Sequence, residues 1–295
     1  MAFENLIGND KIKDLLCKMI EQDKITHSYL FLGPSGVGKT LFAKEFAKMI
    51  LCLSEKKGCG SCKSCLQFNE NNQPDFIFIE PEDGTIKIEK IRQMQAKVLE
   101  KPIISSKKVY VIKDADTMTK EAQNCLLKTL EEPPAFITII LIGANESLFL
   151  NTIRSRCMKI LFQKIENETL GQYLQQKHIT ENLTKERLVS FNGSIERAIK
   201  IEEKKEIYDE IEKIFSNIDN YTLLDVIGKL DCLYKNKDII YDILDYITIL
   251  FMKKAIHKTK YISYIETIEE VKKNLKLNSN YDMSIDKILY KIWEE

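Results

Sequence analysis

The sequence predicts an α/β protein: a parallel βαβ sheet domain followed by a small helical piece and a longer helical bundle. Three observations lead there. Short apolar runs alternate with helical patterns from residue 28 to 160, a glycine-rich turn joins the first run to a long helix, and strand signals fade after Phe162. The runs 29–32, 76–79, 109–112 and 136–142 are apolar without alternation, the pattern of strands covered on both faces. Between them Phe42, Phe46 and Ile50 recur every fourth residue, as do Ala122, Leu126 and Leu130, so each set falls on one helix face. Pro133 and Pro134 stop the second of these helices. A helix starting near Leu148 and a strand over 158–162 complete a domain spanning 1–162. Residues 163–203 read as a small helical lid interrupted at Gly193-Ser194. Residues 204–295 keep helical spacing, with Ile239, Ile243, Tyr246, Ile247 and Leu250 on one stripe.

Composition excludes several classes. With 295 residues, 44% hydrophobic and 30% charged, and only 11 Gly and 6 Pro, the chain is neither fibrous nor disordered. At about 150 residues per domain it holds two or three. Glu4 and Asp10 stand where a signal peptide carries basic charge, and Asp238, Asp242 and Asp245 break the stretch nearest to a membrane span. A cytoplasmic protein without membrane contact is expected. Lys and Arg number 44 against 44 Asp and Glu, which argues against a stand-alone DNA-binding protein, because phosphate contacts need basic surface. The balance is uneven: residues 151–200 hold 9 basic and 5 acidic groups, residues 201–250 hold 6 and 12, and the shift marks a boundary near 200.

The first chemical motif runs from Gly33 to Thr40 and fits G-x-x-x-x-G-K-[ST] between a strand and a helix. Gly33, Gly36 and Gly38 let backbone N–H groups turn inward around phosphate oxygens, Lys39 adds a point charge, and Thr40 offers a hydroxyl to magnesium. Bound ATP or ADP is expected. Hydrolysis also needs a second strand ending in carboxylates, and here that strand continues Ile112-Lys113-Asp114. Lys113 takes the magnesium position and Asp114 that of the base. Only a bulge would let Asp114 serve as the metal carboxylate, since strand side chains alternate with period two. Magnesium is therefore held weakly, and turnover is slow or absent.

Cys52, Cys59, Cys62 and Cys65 give C-x6-C-x2-C-x2-C, with Gly58 and Gly60 allowing tight turns. Four thiolates suit tetrahedral zinc. Ferredoxin-like runs carry their fourth Cys downstream before a Pro, so zinc is favoured over an iron–sulfur cluster. With no position open the metal is structural, closing the loop 52–65. On the rim after residue 148, Arg154-Ser155-Arg156-Cys157 offers an arginine for a neighbouring subunit's phosphate, or else an ordinary surface ion pair. Glu131 and Glu132 end a helix, where two acids meet the negative end of the dipole at about 0.3 to 1 kcal/mol each. Basic groups on another subunit are the expected compensation.

Taken together, residues 3–8, His27 to Phe31 running into the phosphate loop, the four cysteines, the run Asn124-Cys-Leu-Leu-Lys-Thr-Leu-Glu-Glu-Pro-Pro134 and Ser155-Arg156-Cys157 resemble the bacterial clamp-loader AAA+ family of DNA polymerase III. The resemblance covers residues 1 to about 200. Its degraded second motif is more similar to the delta-prime branch than to the ATP-hydrolysing tau/gamma branch. It implies an AAA+ P-loop domain with a zinc-binding insertion, a helical lid and a C-terminal collar for oligomerisation. It also implies a hetero-pentamer with tau/gamma and delta subunits that opens the sliding clamp and places it on primed DNA. Arg156 becomes a trans-acting finger for the adjacent ATP, and the cysteines become zinc ligands. Glu196 stands where active members carry a sensing Arg after Gly-Ser-x. Arg197 follows one residue late, about 100° round the helix, and is expected to point away from the phosphates. The alternative is an active tau/gamma-like ATPase that uses Asp114.

Overall fold

The computed structural model describes residues 3–180, 183–221, 228 and 231–294. Its first unit, Met1–Thr169, is built on five parallel strands: β1 (Ser28–Leu32), β2 (Phe76–Ile79), β3 (Lys108–Ile112), β4 (Ile137–Gly143) and β5 (Met158–Leu161). Their order in the sheet is β2-β3-β4-β1-β5. The helices are α1 (Asp10–Glu21), α2 (Lys39–Leu51), α3 (Lys63–Asn69), α4 (Ile88–Val98), α5 (Lys120–Glu131) and α6 (Asn151–Arg154).

Period-two alternation divides the strand residues between two cores. Tyr29, Phe31, Val109, Val111, Ile140 and Ile142 face α1 and α2. Leu30, Leu32, Tyr110, Ile112, Ile139 and Leu141 face α4 and α5. The helix positions expected inside, Phe42, Phe46 and Ile50 on α2 and Ala122, Leu126 and Leu130 on α5, are all buried. The helix expected near Leu148 is instead a 3-10 turn, Glu146–Leu148, followed by the four-residue α6. The Gln123 side chain accepts from Leu150 N–H and donates to Leu148 C=O, so α5 fixes this connection before a longer helix can form. β1 lies between β4 and β5, where the chain's progress across the sheet reverses; such a switch point opens a crevice at the carboxyl ends of the strands.

The second unit, Leu170–Glu295, is helical. It takes most of α7 (Asn167–Gln176), then α8 (Lys185–Ser190), α9 (Ile195–Glu203), α10 (Lys205–Ser216), α11 (Asp231–Lys235), α12 (Ile240–Ala255), α13 (Lys260–Lys276) and α14 (Tyr281–Glu294). α12 is its axis: Ile243, Leu244, Tyr246, Ile247 and Phe251 are buried, and Phe251 packs on Tyr261 and Tyr264 of α13. The acids that interrupt this apolar stretch all find cations. Asp238 pairs with Lys204 at 2.6 Å, Asp242 with Arg197 at 3.2 Å, and Asp245 with Lys272 at 2.6 Å. Among the described residues no helix is long and apolar enough to cross a membrane.

Asp219 gathers Lys260 at 3.0 Å, Lys258 at 3.2 Å and the Tyr261 hydroxyl at 2.6 Å. Burial raises its carboxyl pKa, but the hydrogen bonds from Tyr261, Lys260 and Lys258 outweigh burial and hold it well below the usual carboxylate range. A depressed carboxyl contributes stability above its unfolded pKa of about 4, and that contribution is lost as pH falls through the folded value. Asp219→Asn is expected to cost the helical unit about 1–2 kcal/mol at pH 7 and to flatten its acid unfolding below about pH 4. Equal stability of the two proteins at pH 7 in urea titrations would contradict this.

Candidate phosphate, metal and arginine sites

The phosphate loop occupies the crevice at the end of β1. Gly33 has φ 148°, and a Cβ there would lie 2.4 Å from the Phe162 carbonyl oxygen, so only glycine fits. Gly38, with φ 92°, ends the loop at the first turn of α2, and its carbonyl accepts from Phe42 N–H. Lys39 is only 7% exposed and folds beneath the loop, where its ammonium donates to Gly33 C=O at 2.6 Å and Pro34 C=O at 2.7 Å. Thr40 stands one residue into α2. The N–H groups of the first helical turn, the positive helix end and Lys39 make this an anion cradle.

A 450 Å³ cavity adjoins it, lined by Gly8, Asn9, Asp10, Leu161, Gln163 and Thr169 among others. Phe162 joins cavity and cradle: its N–H donates to Leu32 C=O at 2.7 Å, and its carbonyl abuts Gly33. Asn9 Nδ2 donates to Gln163 C=O, and Asn9 Oδ1 accepts from Gln163 N–H, stapling the two walls. Sequence reasoning missed this pocket, because its walls lie some 150 residues apart and only the sheet order makes them neighbours. The only local signal is Gly8 at φ 66°, where an added Cβ would meet Ile165 at 3.2 Å.

At the tip of β3 the ladder is unbroken. Phe76 to Ile79 pair with Val109 to Ile112 in continuous register, and Lys113 N–H still donates to Ile79 C=O at 2.9 Å. Asp114 then turns left-handed at φ 47° and leaves the sheet. No bulge turns Asp114 to the other face of the strand, and Lys113 continues the series Val109 and Val111 that faces α2. Its ammonium pairs with Glu80 at 3.1 Å. Asp116, which sequence reasoning passed over, accepts from Ala144 N–H and Asn145 N–H and thus serves to tie the end of β3 to the end of β4.

The four cysteines converge. Cys52 caps the C-terminus of α2, Cys62 caps the N-terminus of α3, Cys65 lies inside α3, and Cys59 comes from the turn between Gly58 and Gly60. Cys52 Sγ is 3.6 Å from Cys59 Sγ and 3.9 Å from Cys62 Sγ, and all four sulfurs lie within 4.8 Å of one another. Four Zn–S bonds of about 2.3 Å in a tetrahedron place sulfurs about 3.8 Å apart, so the set fits a metal ion of that kind. Sulfurs this close cannot all be charged without a cation among them. N–H groups of Ser61 and Cys62 bring the Cys59 thiol down to about 6, whereas burial pushes Cys65 far above its ordinary value. The module is anchored to the sheet through polar bonds. Gln73 donates to Ser64, Ser105 donates to Leu51 C=O, and the fully buried Asp75 carboxylate accepts N–H groups from Ile103, Ile104 and Ser105 at 2.6 to 2.8 Å.

Arg156 sits in the turn between α6 and β5, with its side chain 35% exposed. Its guanidinium is 2.8 Å from Glu131 and donates to Thr152 C=O at 3.0 Å. The cation that offsets Glu131 at the end of α5 is therefore within the chain, which corrects the expectation of a basic group on another subunit: α6 packs against α5 and the turn that follows it carries Arg156 to Glu131. Arg154 is engaged separately, with Glu146 and Asn151. In the helical unit Ser194 caps α9 by accepting from Arg197 N–H, and the Arg197 side chain is held by Asp245 at 2.8 Å and Asp242.

The family model for the DNA polymerase III delta subunit matches residues 8–166. The chain is 31% identical over 205 residues to DNA polymerase III subunit delta′ of Bacillus subtilis, a match covering 69% of this chain and 62% of that protein. It is 34% identical over 182 residues to the gamma/tau subunit of Mycoplasma pneumoniae, covering 61% of this chain and 27% of that one. The chain thus spans less than two thirds of the length of these relatives. The crystal structure of a DNA polymerase III gamma subunit-related protein from Thermotoga maritima superposes with TM-score 0.51 at 17% identity, over 95% of this chain and 98% of that one, and shares the fold.

Proposed function

Because the chain belongs to the DNA polymerase III delta subunit family, we propose that it is a delta-prime-like stator of a clamp loader. It assembles with tau/gamma and delta subunits, helps place the sliding clamp on primed DNA, and lends Arg156 to the ATP of a neighbouring subunit. The four cysteines hold structural zinc, which would give the loop 52–65 the closure that its own side chains do not. The phosphate loop, from Gly33 through Gly36, Gly38, Lys39 and Thr40, holds ATP or ADP with little magnesium, and the cavity beside Gly8 and Gln163 receives the base. Residues 163–203 serve as lid and 204–295 as collar.

The observation that carries the stator reading is the uninterrupted ladder at the tip of β3, which leaves Lys113 where a magnesium carboxylate belongs. An ammonium there opposes the cation that would draw charge off the transferring phosphoryl group. Arg197, held by Asp242 and Asp245, supports the same reading. ATP turnover by the purified chain tests it. The expected rate is below about 0.1 s⁻¹, under the ordinary enzyme range, with Lys113→Asp raising it. An ordinary rate, indifferent to Lys113→Asp, would favour the tau/gamma-like reading instead.

A further inference from the structure

Arg156 is held at four points, more than a freely searching surface arginine would be. Its N–H donates to Ile153 C=O at 3.0 Å, and its carbonyl accepts from the Ser28 hydroxyl at 3.0 Å. Its side chain engages Thr152 C=O and the Glu131 carboxylate. Ser28 begins β1, immediately ahead of the strand that ends in the phosphate loop, and is itself buried. The two backbone bonds fix where the side chain starts; only Glu131 fixes where the guanidinium ends with a charged partner. Two of five N–H donors are then used, and the others stay open on a group still 35% exposed.

We infer that Glu131 is the positioning residue for Arg156: its carboxylate holds Nη2 of the guanidinium so that the N–H groups not taken by Glu131 and Thr152 are presented, already oriented, to an anion arriving from outside the chain. This rests on the proposed trans-acting role of Arg156. A long side chain ordered in advance loses less freedom when it meets a phosphate, and misplacement of a reacting group by about 1 Å can cost a hundredfold in rate. The same contact explains why an acid stands at the unfavourable end of α5. Glu131 acts through Arg156 and touches no phosphate itself.

The test reconstitutes the full chain with ATPase subunits of its own family and measures their kcat and KM for ATP. Glu131→Ala is expected to lower kcat about tenfold with KM within about twofold. Glu131→Gln, which keeps the oxygen without the charge, should fall between it and the wild type. Arg156→Ala should fall much further, by about 10³-fold, and the double variant should match Arg156→Ala alone. In the isolated chain, NMR of the arginine side-chain N–H groups should show Arg156 ordered in the wild type and averaged in Glu131→Ala. Wild-type kcat for Glu131→Ala in an assembly that Arg156→Ala disables would overturn the positioning role and leave the finger standing. A double variant slower than Arg156→Ala would also overturn it, since Glu131 would then act through something else. No effect of Arg156→Ala would remove the finger and this inference with it. Should Glu131→Ala fail to assemble, the NMR comparison decides: unchanged order of Arg156 overturns the proposal.

Discussion

Stripping the metal from Cys52, Cys59, Cys62 and Cys65 is expected to melt the loop 53–63 while the sheet stays folded. Structural zinc supplies about 10–16 kcal/mol to small metal modules, far more than this loop gains by burial. Leu53 and Leu66 are both half exposed, and the turn is built on two left-handed glycines, so little else resists opening. Disorder should stop at Ser64, where the hydrogen bonds to Gln73 and Ser105 begin. Trypsin after a strong chelator should cut at Lys56 or Lys57 at least about a hundredfold faster, and restored zinc should reverse it. Cleavage at an unchanged rate would mean that no metal closes the loop.

In the reconstituted assembly, Arg156→Ala is expected to abolish most clamp-stimulated ATP hydrolysis, because trans-acting arginines are worth about 10³ to 10⁵ in rate. Lys39→Ala should leave that hydrolysis within about threefold, although it strips the cradle of its ammonium. The asymmetry follows from the two environments. Lys39 bonds to carbonyls of its own loop beside a strand tip lacking a magnesium carboxylate, whereas Arg156 stands on the rim with donors to spare. Steady-state ATPase with the clamp and primed DNA present measures both. The opposite ordering would identify this chain as a working ATPase.

The parallel sheet was legible because both-face burial leaves continuous apolar runs, and all four expected runs are strands, with 136–142 displaced by one residue to Ile137–Gly143. The phosphate loop and the cysteines were legible for another reason: each is a local device whose ligating groups lie within fourteen residues. Lys113 could be placed by counting, since nothing between Val109 and Lys113 disturbs the alternation. What stayed hidden was everything joined across the chain. Glu131 and Arg156 are 25 positions apart, Asn9 and Gln163 are 154 apart, and Asp75 meets residues 103–105 only because the strand and loop lie side by side. No periodicity announces such pairs. The unusual placement of two acids at a helix C-terminus did announce that a cation was needed, but not which one.

α2 begins at Lys39 and is capped at its far end by Cys52, so one rod of about 20 Å, at 1.5 Å per residue, carries the end of the glycine-rich loop at its tip and the first cysteine of the cluster at its heel. The heel is gripped in turn through Leu51 and Ser105 by the backbone beside the sheet's outer strand. A rigid lever fastened at both extremities cannot tilt at one without straining the other.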